Sequence, residues 1–128
     1  MIIKNYFDNV FSDFDNIIKS PIDILHIDGL HTYDAVKNDF DKWITKTHDN
    51  SIVIMHDIFS FPNTVGKFFS EIDNNIFFKT FVKHSAGLGI ISKNKNFIDI
   101  INDEWISKLI FNNSNQLIHQ NFYFIINQ

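Results

Sequence analysis

The 128-residue sequence contains no cysteine, which excludes disulfides, thiolate zinc sites and cysteine nucleophiles and leaves oxygen and imidazole as metal ligands. Arginine is absent as well, since all eleven basic residues are lysine. The bidentate guanidinium fork that recognises phosphates and base edges is thereby lost. With a net charge of -4 and no basic cluster, nucleic acid is not an expected partner. Two prolines and four glycines leave no Gly/Ser-rich or Pro-rich linker, so the chain reads as one domain. No apolar run approaches the ~18 residues that cross a bilayer. The first residues, MIIKNYFDNVFSDFD, are acidic where a secretory leader is positive and then apolar. These absences predict a cytoplasmic protein that does not engage a membrane.

What is present supports a real core. Hydrophobic residues make up 45% of the chain, fifteen of them Phe, and a domain of this length buries roughly two-thirds of the surface its unfolded chain exposes. Phe7, Val10, Phe11, Phe14, Ile17 and Ile18 recur at spacings of three and four, predicting one face of a helix that Ser20-Pro21 stops. Ile22 to Ile27 reads as a buried strand. Thr32 is placed to cap a helix in which Tyr33, Val36, Phe40, Trp43 and Ile44 share a face, ending near THDN.

Ser51 to Met55 is a second apolar run without polar alternation, as in a strand covered on both faces. Strand, helix, strand is a βαβ unit with a right-handed crossover. A further helix is expected over Val65 to Ile72, with Phe68 and Phe69 inward. A hairpin follows, from Phe77 to Val82 and Leu88 to Ile91 around Ser85-Ala86-Gly87, and a helical pattern from Phe97 to Phe111. The tail from Leu117 to Ile126 fits helix or strand.

Two apolar strands that each end in an aspartate beside a histidine are the chemical feature of the chain. Ligands of open α/β sheets bind outside the carboxyl ends of the strands. Neighbouring strands there lie ~5 Å apart, so Asp28 and Asp57 can reach one divalent ion such as Mg²⁺, leaving positions open for substrate oxygens. The plain alternative is that each aspartate caps the helix that follows it. His31 is placed to take a proton from a metal-held hydroxyl, or else is a loop histidine bonded to Asp28. His56 either joins the ligands or points to the opposite face. His26 reads as a core histidine and His84 as structural. Gly29 permits a tight turn or close ligand approach. Gly87 and Gly89 follow a hairpin turn rather than opening a helix, so they make no phosphate loop. Phe68, Phe69, Phe77, Phe78 and Phe81 are assigned to the core, and no G-x-S-x-G elbow supports a serine hydrolase.

The stretches PIDILHIDGLHTYDAVKNDFDKW, SIVIMHDI and HSAGLGII resemble the second half of class I S-adenosylmethionine-dependent methyltransferases, in the methyltransferase-24-like group often encoded beside or fused to glycosyltransferases. The likeness runs from about Phe7 to Lys93. It implies an α/β Rossmann-like sheet, N-terminally truncated, with a terminal antiparallel hairpin, in a single partial domain whose residues 94–128 form a helical or irregular C-terminal extension. It implies methyl transfer from S-adenosylmethionine to the hydroxyl of a sugar or small molecule, with Asp28 and Asp57 matching the family's Mg²⁺ ligands and His31 its general base. The family's second acid beside Asp57 is replaced by His56 and Ile58. Its Gly-rich loop and its ribose-binding acid have no counterpart, so the cofactor-binding residues stay unassigned.

In the family's strand order 3-2-1-4-5-7-6 the strands present would be 4, 5, 7 and 6, leaving the fourth as an apolar edge. Such an edge is expected to pair in a homodimer, with a partner chain, or under the C-terminal tail. The rival reading is a non-catalytic interaction module or glycosyltransferase partner. A small metal-dependent hydrolase is a third reading of the same aspartate pair.

Overall fold

The computed structural model describes residues 7–83 and 86–103. Helix α1 (Phe7–Ile17) is followed by strand β1 (Ile22–Ile27), helix α2 (Tyr33–Trp43), a single 3₁₀ turn (Ile44–Lys46) and strand β2 (Thr47–His56). Helix α3 (Val65–Glu71), strands β3 (Phe78–Val82) and β4 (Leu88–Ser92) and helix α4 (Lys95–Asn102) complete the described part. His84, the end of the helical pattern toward Phe111 and the tail from Leu117 lie outside the described residues.

The four strands form one sheet in the order β1-β2-β4-β3. β1 and β2 run parallel, whereas β4 is antiparallel to both of its neighbours. This is the order that the family likeness implies for strands 4, 5, 7 and 6. Alternation along the strands divides the core in two. Leu25, Ile27, Val53, Met55 and Ile91 point to one side, where Phe7, Val10 and Phe14 of α1, Val36, Phe40 and Trp43 of α2 and Phe68 of α3 cover them. Trp43 is fully buried beneath Phe7, Phe11 and Phe14, at ring separations of 5.4–5.5 Å. On the other side Val82, Ile90 and Ile98 form a smaller cluster under α4.

Several expectations are corrected. The helical segment ends directly before Thr47, but the polar stretch Thr47–Asn50 already belongs to β2, which was expected to begin at Ser51. The register shift between Ile22 and Ile24 absorbs the extra residues of this polar stretch. Side chains replace part of the ladder there: Ser51 Oγ donates to the Ile22 carbonyl at 2.6 Å and accepts from the His48 amide at 2.8 Å. Apolar alternation carries no trace of such pairing. Ile17 is exposed rather than part of the inward face of α1. Phe78 and Phe81, on the edge strand β3, are also exposed, although Phe81 packs against Phe59; only Phe68, Phe69 and Phe77 of that group contribute to the core. Lys95–Asn102, in the stretch expected to be helical, form a helix packed against the sheet.

Candidate metal and catalytic site

β1 and β2 are neighbours and parallel, so their carboxyl ends share one rim, with Ile27 paired to Met55. Asp28 is the first residue past β1 and Asp57 the first past β2. Neither caps a helix. Thr32 holds the start of α2 by accepting from the Ala35 amide at 3.3 Å, and Thr64 stands at the start of α3. The capping alternative is thereby removed, and both carboxylates are left to the rim. Asp28 is half exposed and Asp57 is buried, with 9% of its surface accessible.

The loop after β1 carries His31 back over that rim. One donor atom from each of Asp28, His31 and Asp57 lies within 4.8 Å of the other two. His31 Nε2 stands 2.7 Å from Asp57 Oδ2 and 3.8 Å from Asp28 Oδ1, so Asp57 rather than Asp28 is its nearer carboxylate. The imidazole stacks on Phe61 at 4.3 Å and 11°. Phe61 belongs to the loop between β2 and α3, which is tied down by amides of Phe59 and Ser60 donating to the Ala86 carbonyl. The same loop closes on itself, Phe61 donating to the Asp57 carbonyl at 3.0 Å.

His56 completes the cluster. Its Nδ1 lies 3.1 Å from Asp57 Oδ2 and 3.5 Å from Asp28 Oδ1, so of the two orientations open to it in the sequence it takes the one facing the aspartates. His26 sits behind it, edge-on at 6.3 Å. Burial, more than any neighbouring charge, lowers the pKa of His26 and holds that ring neutral at physiological pH.

Asp57 is the one non-glycine residue with positive φ (66°) among the described residues. That conformation costs an L-residue about 1–2 kcal/mol, and aspartate tolerates it better than most. Gly66 supports the bend: a Cβ there would sit 2.4 Å from the Ile58 carbonyl oxygen, so only glycine lets α3 approach this closely.

Asp39 was not singled out in the sequence. It lies on the buried face of α2, 8% accessible, and lines a small cleft with Asp28, His31, His56 and Val65. Burial, with the charge of Asp8 adding to it, pushes its carboxyl up to about 6. The one available signal was an acid among the apolar residues of the α2 face.

The fold and this rim define an α/β protein with a carboxylate-histidine cluster at the ends of two parallel strands. Residues 1–58 match the family described as a methyltransferase domain, and over that stretch the chain is methyltransferase-like. The match takes in Asp28, His31, His56 and Asp57 and stops short of the hairpin. A 43-residue stretch is 49% identical to part of an uncharacterized protein, y4gI, of Sinorhizobium fredii (strain NBRC 101917 / NGR234). That stretch is 34% of this chain and 5% of that protein, so only a small part of the relative's length is spanned. No solved structure matches the chain.

Proposed function

We propose that this chain carries the acceptor side of an S-adenosylmethionine-dependent O-methyltransferase acting on a sugar or small-molecule hydroxyl, within a Rossmann-like sheet. The observation that carries the reading is the meeting of Asp28, His31 and Asp57 at the carboxyl ends of adjacent parallel strands. The donor set fits a divalent cation, because buried His31 Nε2 makes no hydrogen bond although it lies among carboxylate oxygens.

In this reading Asp28 and Asp57 hold the cation. When bound, the cation acidifies a hydroxyl and S-adenosylmethionine offers its methyl group to the oxygen. His31 Nε2 would accept the proton that this hydroxyl gives up. Asp57, 2.7 Å away, balances the charge that the ring gains. Phe61 keeps the imidazole plane fixed by stacking. A cytoplasmic setting fits a reduced, cysteine-free chain, and among the described residues no helix is long and apolar enough to cross a membrane.

One observation favours the second reading, an interaction module. Among the described residues β1 is paired on one side only, and Ile24 on it is 37% accessible, an edge that a second copy or a partner strand can extend. Calorimetry of the full chain with S-adenosylmethionine, with and without Mg²⁺ or Mn²⁺, tests the first reading. Micromolar binding that strengthens with the cation is expected. An intact fold with no cofactor binding refutes the enzymatic reading for this chain and favours the module.

A further inference from the structure

We infer that His56 is a third ligand of the Asp28–Asp57 site and that its nitrogen makes the site select a first-row transition ion over Mg²⁺. The inference rests on the reading of the two aspartates as cation ligands given above, and it changes the kind of ion they serve.

The first argument is a distance. Ligands at about 2.0–2.2 Å from a cation, set at tetrahedral or octahedral angles, lie about 2.8–3.6 Å from one another. His56 Nδ1 is 3.1 Å from Asp57 Oδ2 and 3.5 Å from Asp28 Oδ1. His31 Nε2 has no such symmetry, being 2.7 Å from one oxygen and 3.8 Å from the other.

The second argument is an unsatisfied atom. His56 Nδ1 is buried and makes no hydrogen bond, even though both oxygens are near enough for one. Buried polar atoms are almost always paired. A nitrogen placed among carboxylate oxygens without a directed bond to either is accounted for if all three donate to a common centre.

The third argument is the backbone. Consecutive residues of a strand point to opposite faces, so His56 and Asp57 would not ordinarily face one point. The positive φ of Asp57 turns its side chain onto the side that His56 already occupies. The strain at Asp57 and the missing Cβ of Gly66 thus serve one outcome, the convergence of two adjacent side chains.

The chemistry of the ion follows. Mg²⁺ prefers an all-oxygen octahedron, whereas imidazole nitrogen favours Co²⁺, Ni²⁺, Zn²⁺ and Fe²⁺.

The test is cation titration of the chelator-stripped full chain by calorimetry, with Co²⁺ and Mg²⁺ as probes, on wild type and on His56→Gln, His31→Gln and Asp28→Asn. Every site of this kind ranks Co²⁺ above Mg²⁺ to some degree, so the change in that ranking decides. His56→Gln is expected to lose at least tenfold in Co²⁺ affinity and less than threefold in Mg²⁺ affinity, and His31→Gln less than threefold in both. Equal losses for the two ions in His56→Gln, or none, overturn the inference while leaving the aspartate pair in place if Asp28→Asn abolishes binding. Undiminished binding by Asp28→Asn overturns the aspartate reading and the inference with it. Should His56→Gln not fold, nitrogen NMR of wild type with Zn²⁺ gives the same answer. His56 Nδ1 is expected to move to the shift of a metal-bound nitrogen while His26 and His48 stay put, and an unmoved His56 resonance refutes the proposal.

Discussion

The buried acid of α2 gives the most quantitative test of the site's energetics. Asp39 is pushed from 3.8 to about 6, by burial first and by the charge of Asp8 second. A carboxyl that binds its proton more tightly when folded makes the folded state bind more protons than the unfolded one between those two values, so stability falls as pH rises through that window. At about 1.36 kcal/mol for each pH unit, the full loss above pH 6 is about 3 kcal/mol. Asp39→Asn keeps the shape of the side chain and removes the ionisation. It is expected to stabilise the chain by about 1–3 kcal/mol at pH 8, after allowing for lost polar contacts, and to leave stability near wild type at pH 4. Urea unfolding followed by circular dichroism at both pH values measures this, the pH 8 midpoint rising by about 1–2 M. A variant no more resistant to urea than wild type at pH 8, or a gain of the same size at both pH values, refutes the reasoning.

The packing makes two further predictions. Trp43→Ala removes the side chain that Phe7, Phe11 and Phe14 cover and should cost about 3–5 kcal/mol. Trp43→Phe should cost less than half of that, because it keeps a ring and deletes a buried Nε1 that has no hydrogen-bond partner. Equal losses by chemical denaturation would show that the indole nitrogen is satisfied. Gly66→Ala forces a Cβ to within 2.4 Å of the Ile58 carbonyl and should cost about 1–3 kcal/mol. It should also weaken cation binding, although residue 66 is not itself a ligand. Unchanged Co²⁺ affinity in a destabilised Gly66→Ala chain would separate the bend at Asp57 from the position of its carboxylate.

Much of the frame was legible because local physics dictates it. The bounds of β1, the Thr32 cap and the start of α2 follow from an apolar run, a capping hydroxyl and helical spacing, each of which acts within a few residues. The place of Asp28 and Asp57 at the ends of two strands was legible too, since a polar residue closing an apolar strand is visible in one dimension. The polar start of β2 was not, because its bonds run from Ser51 to Ile22 and from His48 to Asp23, between residues far apart in sequence.

By itself, the sequence determined which residues were available for chemistry: carboxylate and imidazole, with no thiolate and no guanidinium, near the ends of two apolar strands. Only the tertiary structure decided how they combine. Pairing of β1 with β2 put both ends on one rim, the left-handed turn at Asp57 brought it to the side of His56, and burial of the α2 face raised Asp39. Distances between side chains and their access to water are properties of the packed molecule, and no spacing along the chain encodes them one residue at a time.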